Sequence, residues 1–300
     1  MVSRAAGYDV IPDLHADPDR LERSLAALGP GGRPAFLGDF IDGKPGEAAD
    51  DAAVLGRVRG LVEAGAPAVM GNHELNAVLF HRVEEGRPLR PRHARNRAQH
   101  ASFLSRFPDG PGPEGAAARG WTDWFLTLPL WRDLGGLRLV HACWDEAAIA
   151  TVAARRPDAR LRLGDLAEVA REDTAFGRAV NRLLTGPEIA LPEGQGFTDH
   201  VGHRRHHMRF AWWTGSGSTW REAAISVPRP SELPAGPLPP GAADGLYPAG
   251  APPVLFGHYK MVGAPRIEAP NAACIDYPAA PCLYRWRGEA RLDPDRLLRV

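Results

Sequence analysis

Five short apolar runs along the chain each end in side chains of metal-ligand type: residues 8–15 (YDVIPDLH), 34–42 (PAFLGDFID), 66–74 (APAVMGNHE), 137–143 (LRLVHAC) and 253–258 (PVLFGH). Such runs, flanked by turn residues, predict buried strands. Helical patterns separate the first three. Pro18 opens one that places Leu21, Leu25 and Leu28 on a single face, and Gly29 closes it. Val54, Leu55, Val58, Leu61 and Val62 form the apolar stripe of the second, which ends near Gly65. A strand–helix–strand–helix–strand order predicts parallel pairing through right-handed crossovers. All five polar clusters then fall beyond the carboxyl ends of strands, where open α/β sheets gather their ligands.

Residues 92–107 and 164–185 carry further helical patterns and read as insertions beside this core. Residues 121–128 (WTDWFLTL) read as a short amphipathic helix. The Pro- and Gly-rich stretch 226–253 predicts a surface loop without regular structure. Because a further core run follows it, residues 1–300 are expected to form a single catalytic domain.

Three cysteines, Cys143, Cys274 and Cys282, are too few and odd in number for a disulfide scaffold. The first ten residues lack the apolar run of a signal peptide, and no later stretch has the apolar length of a membrane span. A soluble cytoplasmic protein is the expectation. Lys plus Arg equals Asp plus Glu at 36 each, which argues against general nucleic-acid binding.

Asp13 and His15, two apart in an extended segment, should leave one face together and hold one metal. Asp39 ends the second run, and its two carboxylate oxygens suit a bridge between two ions. Asn72, His141 and His258 would complete the shell of the second. This mixed N and O set favours Mn, with Fe or Zn also suited, over Mg or Ca. Two divalent ions about 3.5–4 Å apart stabilise the attacking and leaving oxygens of an in-line displacement.

With these residues the chain resembles the calcineurin-like metallophosphoesterases. The closest likeness is to their phosphoprotein-phosphatase branch, which includes bacterial serine/threonine phosphatase-like and diadenosine tetraphosphatase-like enzymes. The resemblance rests on Asp13-Leu-His15, on Gly38 through Asp42, on Gly71-Asn-His-Glu74, on His141 and on Gly257-His258, in that order. It extends to the stretches 121–131, 141–144 and 274–286. It implies an α/β fold, a metallophosphoesterase-type β-sandwich flanked by helices and carrying helical insertions. It also implies two metals, on Asp13, His15, Asp39, Asn72, His141 and His258. His73 would be the general acid, oriented by Asp42. The implied reaction is hydrolysis of a phosphomonoester by a metal-activated water, on a phosphorylated small molecule, nucleotide or phosphoprotein. Alternatives are cleavage of a dinucleoside polyphosphate and a repurposed, non-catalytic metal-binding protein.

Two departures bear on substrate recognition. The Arg that usually follows the Gly-Asp-x-x-Asp element is missing, and Gly43 and Lys44 stand after Asp42. Pro12 and Ala16 replace glycines around the Asp-x-His element. Lys44, or Arg95 and Arg97 from the basic run of Arg87, Arg90, Arg92, Arg95 and Arg97, would then bind the phosphate. His200, His203, His206 and His207 read as a polar hairpin loop, Trp212 and Trp213 as packing residues, and Cys143 as a small buried hydrophobe.

Overall fold

Two four-stranded sheets follow from apolar runs that are buried on both faces. The strands are β1 (Tyr8–Ile11), β2 (Arg33–Phe36), β3 (Trp131–Asp133), β4 (Arg138–Val140), β5 (Val254–Phe256), β6 (Ala272–Cys274), β7 (Cys282–Trp286) and β8 (Leu297–Arg299). The computed structural model describes residues 7–44, 48–110, 112–199, 202–214, 219–241 and 247–300. One sheet runs β8-β7-β1-β2 and the other β6-β5-β4-β3. Val10, Ala35, Leu37, Leu139, Leu255, Ala273 and Tyr284 meet between the sheets. Their neighbours Ile11, Phe36, Val140, Val254 and Phe256 point outward, into a second core under the helices. The period-two alternation of each strand thus feeds two cores at once.

The helices are α1 (Pro18–Ala26), α2 (Asp51–Glu63), α3 (Asn72–Phe80), α4 (Ala94–Gln99), α5 (Ala101–Arg106), α6 (Ala116–Phe125), α7 (Glu146–Ala153), α8 (Leu166–Arg171) and α9 (Ala175–Thr185). Asp17 caps α1 through the Arg20 N–H, with Pro18 in the first turn, and Asp50 caps α2 through the Ala53 N–H. These two helices lie where the apolar pattern places them. No helix among the described residues is long and apolar enough to cross a membrane.

Three expectations need correction. The expected parallel pairing holds for β1 with β2 and for the Phe36–Ala68 bridge, and β4, β5 and β6 are also parallel, while β7, β8 and β3 add antiparallel partners that make both sheets mixed. The third predicted strand is reduced to one bridge, Phe36 to Ala68. Gly71 there has extended backbone, and Asn72 and His73 already open α3. The amphipathic helix at 121–128 starts earlier, at Ala116. The 226–253 stretch holds a short 3-10 turn at Pro230–Glu232 and buries Leu233 and Tyr247. Residues 242–246 of that stretch lie outside the described residues. The helical insertions at 92–107 and 164–185 are present as α4, α5, α8 and α9.

Candidate metal centre

Asp13, His15, Asp39, His141 and His258 sit just past strand ends, and Asn72 is the first residue of α3. Of the ten described non-glycine residues with positive φ, six are here: His15, Ala16, Asp39, Asp42, His258 and Lys260. Left-handed backbone is costly for such residues and persists where surrounding contacts impose it. β1 stops at Ile11, so this turn, and not strand alternation, places Asp13 and His15. Two glycines allow the loops to close. A Cβ on Gly71 would lie 2.3 Å from the Asp39 nitrogen, and one on Gly257 would lie 1.9 Å from Asp13 Oδ1.

Glu74 holds the centre of this arrangement. Fully buried, its carboxylate accepts from the N–H groups of Asp39 (2.8 Å), Phe40 (2.8 Å) and Gly71 (2.9 Å). Burial and then the Asp39 charge push it up to about 7, against the pull of these donors. It ties the Asp39 turn to the first turn of α3. Only its position, third in the helix after Gly71, hints at this in the sequence. Glu74→Gln should destabilise the metal-free protein by about 1–3 kcal/mol in urea unfolding, because one donor then faces an amide NH₂. An unchanged unfolding midpoint would contradict that role.

The predicted ligands converge. His15, Asp39 and His73 form one group whose donor atoms lie within 4.8 Å of one another, and Asp39, His141 and His258 form a second. Asn72 joins the second group, its Oδ1 lying 2.7 Å from His258 Nδ1 and 3.0 Å from His141 Nε2. Asp39 Oδ2 is 3.4 Å from His141 Nε2 and 3.9 Å from His73 Nε2. Ligands about 2.0–2.2 Å from one ion stand about 3 Å apart at right angles, so these separations suit a shared cation. Asp13 Oδ2 is 3.9 Å from His15 Nε2, and both its oxygens also accept from the His258 N–H.

The electrostatics also fit a cation. His15 Nδ1 donates to the Ile41 carbonyl, while its buried Nε2 has no partner. Burial, then repulsion from His73, lowers His15 to about 3, so its ring is neutral and its lone pair free. His141 Nδ1 donates to the Leu37 carbonyl, the usual second bond of a metal-binding imidazole. Burial opposes a charge on His141, but Asp39 drives it up to about 10, so a proton occupies the position where a cation would fit. Burial and then Asp276 hold Asp13 well above the carboxylate range. A divalent cation would relieve that crowding of acids. The residues present fit two divalent ions.

Asp39 Oδ1 accepts from the His73 backbone N–H at 2.9 Å, and Oδ2 lies 3.4 Å from His141 Nε2 and 3.9 Å from His73 Nε2. His73 Nδ1 donates to Asp42 Oδ2 at 2.7 Å. Burial works against a charged His73, but Asp39 and Asp42 more than offset it and raise the ring to about 9. Because His73 is the second residue of α3, the helix turn, and not an extended segment, separates it from Asn72.

The predicted phosphate binders are less gathered. Lys44 is exposed at the border of the undescribed residues 45–47, and Arg95 is exposed on α4. Arg97 donates to the Arg92 carbonyl and lies over the Phe80 ring. Two cations absent from the sequence reading act on the ligands instead. After burial, Arg209 is the foremost charged influence lowering His258, and the exposed Lys260 lowers both His15 and His73. Lys260 is two residues past His258, a spacing that could have flagged it.

Residues outside the centre fall as expected. His203, His206 and His207 belong to a polar hairpin between Phe197–Thr198 and Arg204–Arg205 and the strand beside it, and His200 lies outside the described residues. Trp212 and Trp213 are buried against Phe256. Cys143 is a buried free thiol pushed far up by burial.

A family model described as calcineurin-like phosphoesterase matches residues 8–220. No curated protein sequence matches the chain. Among solved structures, a putative diadenosine tetraphosphatase is 14% identical with a TM-score of 0.44, over 100% of this chain and 95% of that one. A metallophosphoesterase from Sphaerobacter thermophilus is 21% identical with a TM-score of 0.33, over 49% and 54%. A serine/threonine phosphatase from Saccharomyces cerevisiae with similarity to human PP5 is 12% identical with a TM-score of 0.49, over 99% and 80%.

Proposed function

The chain belongs to the calcineurin-like phosphoesterase family of metal-dependent hydrolases, and from that premise we propose that it hydrolyses phosphomonoesters at a dinuclear centre, with His73 as general acid. The observation that carries the reading is the pair of donor groups sharing Asp39. In this reading Asp13, His15 and Asp39 would hold one ion, and Asp39, Asn72, His141 and His258 would hold the other. Manganese suits this N and O set. Two divalent cations supply an activated water and positive charge beside the phosphate oxygens.

The chain's own residues do the rest. His73 Nδ1 is engaged by Asp42, so its Nε2 is the atom left to give a proton to the departing alkoxide. A carboxylate beside the ring favours its charged, donating form. Residues 1–300 act as one catalytic domain in this reading, since β7, far along the chain, pairs with β1 beside the Asp13 turn.

Lys260 and Arg209, whose charges act on His15, His73 and His258, take the part of the missing Arg beside Lys44, Arg95 and Arg97. Lys260→Ala and Arg209→Ala are each expected to raise KM for a phosphomonoester about tenfold, the loss of one charge-assisted phosphate contact. Unchanged KM in both would put the grip elsewhere. The activity is tested on p-nitrophenyl phosphate, an alkyl phosphate and a dinucleoside polyphosphate, with Mn²⁺ and after chelation. Metal-dependent turnover of the monoesters is expected. Turnover of the dinucleoside polyphosphate alone would overturn the monoester assignment, and no turnover at all would overturn catalysis.

A further inference from the structure

Behind His73 a buried polar chain continues past Asp42. Asp42 Oδ2 accepts from His73 Nδ1, and Oδ1 accepts from His100 Nδ1 at 2.6 Å. His100 Nε2 stands 3.2 Å from His81 Nε2. His81 Nδ1 is 3.3 Å from Asp109 Oδ1, and the other oxygen of Asp109 meets Arg92 at 2.8 Å. The side chains of His100 and His81 are only 1% and 2% exposed, and Phe80 and Phe103 wall them.

His100 therefore holds two polar contacts, Asp42 on one ring nitrogen and His81 on the other. Burial, then repulsion from His100, lowers His81 to about 4. Burial opposes ionisation of Asp42, yet hydrogen bonding to His100, ahead of His73, holds it below the usual range. Asp42, Asp51 and His81 are the charged or titratable groups around His100, Asp109 and Arg92 adjoin His81, and Arg90 acts on Asp42.

Asp42 needs such support. Its backbone is left-handed, at φ 66°, and its N–H is held by Asp51 Oδ1 at 3.0 Å. A carboxylate anchored through one oxygen turns freely about its last torsion, which has broad minima. A second anchor removes that freedom. We propose that His100, held between Asp42 and His81, is a positioning residue for phosphoester cleavage, pinning one oxygen of Asp42 so that the other can fix the ring of His73. The proposal rests on His73 being the acid. Nothing in the sequence near Asp42 points to His100.

The test uses full-length, metal-loaded protein. His100→Asn keeps an N–H near the Nδ1 position but is too short to reach His81. His81→Phe leaves His100 in place and removes its partner at Nε2. Each is expected to lower kcat on an alkyl phosphate about tenfold, with KM, metal content and turnover of p-nitrophenyl phosphate nearly unchanged. In a His73→Asn background either change should cost nothing further, because the pair acts through His73. An equal loss in that background, an equal loss on both substrates, or loss of metal would overturn the positioning role alone. A His73→Asn variant with no leaving-group dependence would overturn the acid assignment and the proposal with it. Nitrogen-15 spectra of the histidine rings in the unsubstituted protein give a reading that needs no variant to fold. Nδ1 of His100 should carry a proton held in a hydrogen bond to Asp42, and an Nδ1 without one would overturn the proposal.

Discussion

Asp39→Asn is expected to empty both halves of the centre together and to reduce turnover on the order of 10³-fold, as removal of a principal electrostatic stabiliser does. The cause is geometric. Asp39 Oδ1 is committed to the His73 backbone N–H, and Oδ2 faces both the His15–His73 side and the His141 side. An amide in its place either turns its NH₂ toward the cations or toward that backbone N–H, and one contact is lost whichever way it turns. The fold should survive, since Glu74 and the backbone N–H groups of Leu14, His15 and Ala16 hold the Asp39 and Phe40 backbone. Elemental analysis after gel filtration checks the outcome. Two metals retained per chain in the variant would mean that Asp39 is not the shared ligand.

His73→Asn is expected to keep both metals and to lose about 10²–10⁴-fold in kcat on alkyl phosphates. An alkoxide is a poor leaving group unless protonated, whereas p-nitrophenolate departs without a proton. Loss on p-nitrophenyl phosphate should therefore be far smaller. A general acid works in its protonated form, so turnover of alkyl phosphates should fall as pH rises through the pKa of His73. That alkaline limb should disappear in the variant. Equal losses on the two substrates, or loss of a metal, would remove His73 from the acid's role and make it a ligand, as its place beside His15 and Asp39 also permits.

Much of the centre was legible because its residues follow strands whose apolar runs leave little doubt, and the chemistry falls at their ends. Asp13, His15, Asp39, Asn72, His141 and His258 can be picked out this way, and the structure brings them together. α1 and α2 were legible for a local reason too, since Asp17 with Pro18 and Asp50 with Asp51 mark their starts. The helical start at Asn72 was hidden, because 66–74 is apolar and short enough to read as a strand until the Gly71 turn is known. β7 was hidden because its pairing with β1 spans most of the chain and leaves no local trace. His100 and Arg209 belong to the same class. Their placement depends on tertiary packing, and a lone His or Arg has no periodic signature. The hydrogen bond from the His73 backbone to Asp39 Oδ1 is finer still, since it depends on the direction of a single N–H.

The most direct test of the account is anomalous diffraction from crystals grown or soaked with Mn²⁺. The prediction is two manganese peaks about 3.5–4 Å apart. One should be bounded by Asp13 and His15 and the other by Asn72, His141 and His258, with Oδ2 of Asp39 reaching both. A single peak, no peak, or peaks away from these side chains would contradict it.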